Sequence, residues 1–231
     1  MPMPQPTNAP AFSSPPARNK STNTPMDPLT VPLVIAAAFL LGSIPTGYLV
    51  ARAKGIDIRQ HGSGNIGATN VLRTLGKPLG IFVFAIDALK GFAAVWLPQF
   101  LAAAPIPEWL PVGAAVAAIV GHNYTPWLGF KGGKGIATSA GVLFALMPWA
   151  VLVIAVVWLV VFSATRYVSL ASISAAAALP VAVALLGHFG VGGNLSLLIF
   201  ALLISALAIW RHRSNIHRLR DGTEPRSKGK K

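Results

Sequence analysis

Six apolar runs divide the chain, near residues 29–52, 78–101, 109–128, 135–163, 168–187 and 194–211, separated by short polar stretches. A helix needs about 20 residues to cross the hydrocarbon of a bilayer. Lipid offers the backbone no hydrogen-bond partners, so each run is predicted helical. The fourth run is 29 residues long with Pro148 in its middle. It predicts either one long kinked helix or two short helices meeting near Met147 and Pro148.

The placement of charge favours two. Basic residues fall at Arg52, Lys54, Arg59, Arg73 and Lys77, at Lys131 and Lys134, at Arg166, and after Arg211, whereas 102–108 and 188–194 carry no Lys or Arg. Two crossings within 135–163 place every basic segment on one face, as the positive-inside rule requires; a single crossing does not. The fold class expected is therefore all-α, a polytopic membrane bundle of seven helices with glycine-rich cytosolic loops. Its N-terminus lies outside and its C-terminus in the cytosol. Residues 29–213 form the transmembrane domain and 214–231 a basic cytosolic segment. Residues 1–28, rich in Pro, Ser, Thr and Asn, bury too little apolar surface to order and are read as a disordered tail.

Composition agrees with a membrane protein. The chain is 54% hydrophobic and 11% charged, against roughly 25% charged in soluble domains. The net charge of +13 is gathered in loops between apolar runs, so nucleic acid is not the expected partner. There is no cysteine, which excludes disulfides, thiolate metal sites and a cysteine nucleophile. No metal-ligand spacing such as HExxH occurs.

Three polar, glycine-rich segments share the cytosolic face. The first, HGSGNIGATNVLR at 61–73, formally holds GxGxxG at Gly62, Gly64 and Gly67, but follows a membrane helix where a dinucleotide site needs a strand. It reads instead as a phosphate nest with Ser63, Asn65, Thr69 and Asn70 as donors and Arg73 beside it, or more plainly as a capped turn. The second, GHNYTPWLGFKGGKGIATS at 121–139, fails the Walker A spacing. It still sets Lys131, Gly132, Gly133 and Lys134 before a helix start at Ile136, with Thr138 in the first turn, an arrangement suited to an anion. In the third, RHRSNIHRLRDGTE at 211–224, His212, Asn215 and Arg218 recur every three residues and so share a face if the last helix continues. There they orient or deprotonate a hydroxyl and hold a phosphate, or simply bind anionic lipid.

Asp87 and Lys90 lie inside the second run. Each charge costs about 2.5–3.5 kcal/mol near a bilayer centre, so they are expected to pair inside the protein, tying helices together or lining the cavity. His122 and Asn123 are read as hydrogen-bonding residues between helices or as cavity residues, with a direct catalytic role for His122 as the lesser alternative. GSIPTG at 42–47 predicts close helix packing and a kink at Pro45.

Taken in order, GSGNIGATNVLR, DALKG, GHNYTPWLGFKGGKGIATS and RHRSNIHRLRDGTE resemble the signature segments of the bacterial acyl-phosphate:glycerol-3-phosphate acyltransferases over about residues 30–225. The resemblance implies seven spans in the bacterial inner membrane, a cytosolic active site and transfer of a fatty acyl group from acyl phosphate to the 1-hydroxyl of glycerol 3-phosphate. The product is lysophosphatidic acid. It implies no metal, no other cofactor and no acyl-CoA, with membrane lipids as surroundings and a functional link to the enzyme that makes acyl phosphate. The site expected has Ser63, Lys134, His212 and Asn215 as catalytic residues, with the GSGN loop on the acyl-phosphate head. Lys134, His212, Asn215 and Arg218 bind glycerol 3-phosphate, Arg73 bridges the phosphates, and Glu224 orders the third segment. No Ser-His-Asp or Cys-His set is present, which favours direct attack by the glycerol hydroxyl. The base is His212 or a donor phosphate oxygen. An anion transporter would also carry basic loops and intramembrane charge, but calls for an internal repeat that the chain lacks.

Overall fold

A computed structural model of the protein describes residues 27–102 and 105–227. Most of the expected N-terminal tail lies outside them. Ten α-helices, and no strand, occur among the described residues. They are α1 Thr30–Ser43, α2 Thr46–Arg52, α3 Ala68–Leu75, α4 Lys77–Leu101, α5 Leu110–Asn123, α6 Ile136–Leu146, α7 Pro148–Thr165, α8 Val168–His188, α9 Leu195–Arg211 and α10 Arg213–Arg220.

Proline sets several boundaries. Pro148 opens α7, where its missing N–H is harmless, and drives Met147 out of the helical region to φ −150 and ψ 69. The 29-residue run is thus two helices. Pro45 divides α1 from α2 in the same way, and the carbonyl freed at Ile44 accepts a 2.8 Å hydrogen bond from Lys90 Nζ. At the start of α9 the Asn194 side chain accepts from Leu197 N–H at 2.8 Å, a conventional N-cap.

Hydrogen bonds between loops fix how the helices run. Arg73, just before α4, Lys134, just before α6, and Ser169, in the first turn of α8, all meet the segment 215–225. Asn123 at the end of α5 accepts from Gly132 N–H, Arg166 at the end of α7 from Ser227 N–H, and Arg211 at the end of α9 donates to Gly133. The chain therefore leaves one end of the bundle on α4, α6 and α8, and returns to it on α5, α7 and α9.

Small residues let these helices approach closely. A Cβ on Gly42 would strike the Ala118 backbone, one on Gly91 the Thr138 carbonyl, and one on Gly141 the Ala88 carbonyl. A core of Ile119, Val142, Leu143, Leu179, Phe200 and Ile204 joins α5, α6, α8 and α9. Of α7 only Ala150 is buried, while Leu152, Val156, Leu159 and Val160 face outward. An apolar surface of that kind suits lipid, not water. Among the described residues, four helical stretches are long and apolar enough to cross a membrane: Thr30–Arg52, Lys77–Leu101, Pro148–Thr165 and Val168–His188. The bent pair α9–α10 makes a fifth when it is counted as one span.

Candidate active site

A cavity of about 810 Å³ opens at the end where the basic loops converge. Its walls come from the 61–73 segment, α4, the start of α6, α7, α8 and the chain after α9.

The 61–73 loop is built around one buried side chain. The Asn70 amide donates to the carbonyls of His61 at 2.9 Å and Asn65 at 2.8 Å, and its oxygen accepts from Ser63 N–H at 2.9 Å. Asn70 therefore shapes the loop. Gly62 at φ +58 lies against it, where a Cβ would collide with the Asn70 oxygen, so the left-handed turn admits only glycine there. Asn65 caps Gly67 N–H at 2.9 Å. Ser63, Asn65, Gly67, Thr69, Asn70 and Arg73 line the cavity; Gly62 and Gly64 do not. Burial lowers the pKa of Arg73, and its guanidinium donates to the Pro225 carbonyl at 3.1 Å.

The second segment is used differently from what its sequence suggests. The N–H groups of Gly132 and Gly133 donate to the carbonyls of Asn123 and His122 at 3.2 and 3.1 Å. Their own carbonyls accept from Arg211 at 3.1 and 2.6 Å. Neither glycine lines the cavity, Lys131 is exposed outside it, and Thr138 is buried against Gly91. What faces the cavity is Lys134 and the start of α6, Gly135 to Ala137. The first amides of a helix lack helical acceptors and carry partial positive charge, which favours an anion.

The third segment does not prolong α9 in a straight line. The chain bends by 54° between α9 and α10, with His212 at the break, so the shared-face expectation holds only in part. His212 and Asn215 line the cavity; Arg218 stands behind it. Glu224 is the hub. Its carboxylate accepts from Ser169 Oγ, Asn215 Nδ2 and Arg218 Nε, each at 2.7 Å. Asn215, its amide nitrogen thus engaged, turns its oxygen to the Lys134 ammonium. Burial alone would raise the Glu224 carboxyl, but these three hydrogen bonds hold it below its ordinary value.

Burial, reinforced by Arg218, Arg211 and Arg73, pulls Lys134 down to about 8 despite Glu224. His212 falls to about 4, again chiefly through burial. His212 Nδ1 lies 2.8 Å from the Ala208 carbonyl. A carbonyl only accepts, so Nδ1 carries the proton and Nε2 keeps its lone pair.

Deeper in, Asp87 and His122 line the cavity, while Lys90 and Asn123 lie behind them. Lys90 Nζ is 2.8 Å from Asp87, which also accepts from Thr46 at 2.9 Å. The expected pairing inside the second run is present.

A second, apolar cavity of about 420 Å³ lies between α6, α7, α8 and α9. Phe84, Ile136, Trp158 and Ser172 line both, so the charged end leads into an apolar channel. Sequence reasoning missed Ser169 and Arg211, and also Pro225, Arg226 and Ser227, which close one wall. A serine in an apolar helix gives no local signal; only its partner, 55 residues away, reveals its place.

The family model described as glycerol-3-phosphate acyltransferase matches residues 32–222. The chain is 48% identical to the glycerol-3-phosphate acyltransferase of Geotalea daltonii, over 83% of this chain and 95% of that one. It is 46% identical to that of Aquifex aeolicus, over 84% and 97%. It is also similar to the crystal structure of PlsY, an integral membrane glycerol 3-phosphate acyltransferase, in its glycerol 3-phosphate form. The TM-score is 0.76 at 44% identity, over 86% of this chain and 96% of that one. The lysophosphatidic acid form of PlsY matches with a TM-score of 0.74.

Proposed function

This chain belongs to the glycerol-3-phosphate acyltransferase family, and from that membership we propose how its cavity carries out the transfer. The protein is an integral membrane enzyme that acylates glycerol 3-phosphate to lysophosphatidic acid. The donor is an acyl phosphate. The observation that carries this reading is the continuity of the two cavities: cationic groups and helix-start amides at one end, an apolar channel at the other. An acyl phosphate is itself a small anionic head on a long apolar chain.

The chain of the donor occupies the apolar cavity and its head meets Ser63, Asn65 and the amides at the start of α6. Glycerol 3-phosphate lies across Lys134, His212 and Asn215, with Arg73 between the two phosphates. Arg218 and Ser169 act through Glu224, which holds Asn215 and so Lys134. The 1-hydroxyl attacks the carbonyl carbon, an ester C–O bond forms, and the bond from the carbonyl carbon to the phosphate oxygen breaks. Positioning and electrostatic stabilisation supply most of the acceleration. His212 presents Nε2 as acceptor and orients the hydroxyl. The oxygens of the donor phosphate lie beside the attacking hydroxyl and take its proton, which leaves with the released phosphate.

The chain crosses the inner membrane seven times, with the site end cytosolic. Supporting this are the alternating departures and returns of α4 to α9 and the basic loops gathered at one end. Because the chain has no cysteine, single cysteines placed in 53–60, 102–108 and 188–194 report sidedness by impermeant labelling. The enzyme that makes acyl phosphate supplies the substrate.

The donor is tested with purified enzyme and labelled glycerol 3-phosphate, offered acyl phosphate, acyl-CoA or acyl carrier protein separately. Product and stoichiometric phosphate from acyl phosphate alone are expected. Turnover with a thioester and none with acyl phosphate overturns the assignment of donor.

A further inference from the structure

Two histidines line the cavity, and only His212 has a place in the transfer described above. His122 is 5% exposed, at the end of α5. Its Nδ1 lies 3.0 Å from Lys90 Nζ. The same Nζ lies 2.8 Å from Asp87 Oδ1 and 2.8 Å from the Ile44 carbonyl. An ammonium has three hydrogens and no lone pair, so it donates in all three contacts. Lys90 and Asp87 are both 3% exposed at the side chain, and a carboxylate so placed keeps its ammonium charged. His122 Nδ1 must therefore be an acceptor. A protonated Nδ1 would set N–H against N–H. The ring is neutral and its proton sits on Nε2, which has no hydrogen-bond partner among the described residues and belongs to a residue of the cavity wall.

We propose that Lys90 is a positioning residue that locks His122 as the Nε2–H tautomer, making it a hydrogen-bond donor to the oxygen that gains negative charge during acyl transfer. The inference rests on the acyltransferase reading of the cavity. It gives the two cavity histidines opposite tasks. Lys90 leaves His122 a donor at Nε2; the Ala208 carbonyl leaves His212 an acceptor at Nε2. A neutral imidazole N–H suits an oxyanion because it donates without adding a buried charge, and a fixed ring needs no reorganisation as charge develops. Gly133, lacking a side chain, leaves room at the Nε2 edge of the ring. A Cβ on Gly133 would collide with Nε2, and the His122 carbonyl accepts from Gly133 N–H at 3.1 Å. The break at Pro45 fits the same device, since Thr46 bonds Asp87 and the freed Ile44 carbonyl gives Lys90 its third acceptor.

The test combines a spectrum with kinetics. With ¹⁵N-histidine label, the His122 ring signals, assigned by their loss in His122→Gln, are expected to show protonated Nε2 and bare Nδ1. In the Asp87→Asn/Lys90→Met double variant, which leaves no unpaired buried charge, they are expected to move to a mixture of tautomers. Donor turnover in that variant is expected to fall about tenfold or more in kcat with little change in KM, as for a lost oxyanion donor. His122→Gln, which keeps an N–H, is expected to retain several-fold more kcat than His122→Phe. A His122 signal with protonated Nδ1 in the wild-type enzyme overturns the tautomer lock whatever the donor. Equal kcat for His122→Phe and wild type overturns the donor role, while the family activity, measured on the wild type, stands.

Discussion

Two glycine-rich loops border the cavity, and they use glycine for different ends. In the 61–73 loop, Gly62 and Gly64 have φ of +58 and +69 and turn the chain around the Asn70 amide. In the 129–135 loop, Gly132 and Gly133 lie where the end of α5 leaves no room for a side chain. Their amides and carbonyls are already taken by α5 and Arg211. One loop is a shaped wall, the other a spacer that brings Lys134 and the start of α6 to the site. Glycines next to lysines do not by themselves make an anion nest; what matters is whether the N–H groups remain free.

The sharpest way to break this contrast is Lys134→Met. Removing the one ammonium that the spacer delivers is expected to lower kcat/KM by about 10²–10³, with the melting temperature near that of the parent. Near-normal turnover would return the phosphate to the glycine amides. Next is Gly133→Ala, expected to cut activity by more than tenfold and lower the melting temperature, since His122 must shift. Gly129→Ala, in the same loop at φ +60 with open space around it, is expected to cost only about 1–2 kcal/mol of stability and to leave kcat alone. Asn70→Asp removes the donors to two loop carbonyls, and a rise of several-fold in KM for the acyl donor, with kcat falling less, is expected. The smallest effect is in pH. Lys134 is charged below about 8 and loses its charge as pH rises through that value, so phosphate binding weakens on the alkaline side. In kcat/KM against pH a limb near 8 is expected, displaced upward in Lys134→Arg, and a limb unmoved by that change would assign it to another group.

The helices and the division at Pro148 were legible in the sequence because apolar run length, proline and loop charge are local signals. The shared location of the three polar segments was legible for the same reason. The wiring was not. Lys134, Asn215, Glu224 and Ser169 form one network, and nothing in the spacing of RHRSNIHRLRDGTE foretells the 54° bend at His212 or the pairing of Arg218 with Glu224. Thr138, read as a substrate ligand from its place in a helix's first turn, is rotated onto Gly91 by α4–α6 packing. Arg211, which looks like one more positive-inside residue, pins the spacer loop.

The brevity of α6 bears on where water meets lipid. Its 11 residues rise about 16 Å, roughly half the hydrocarbon thickness of about 30 Å. In the seven-crossing arrangement proposed above, a helix so short, starting at the Lys134 end, would set that end below the headgroup plane. Glycerol 3-phosphate would then enter a polar well, while the fatty chain of the proposed donor would stay at the depth it already occupies among the lipids. On that arrangement neither substrate would have to cross the boundary between water and lipid.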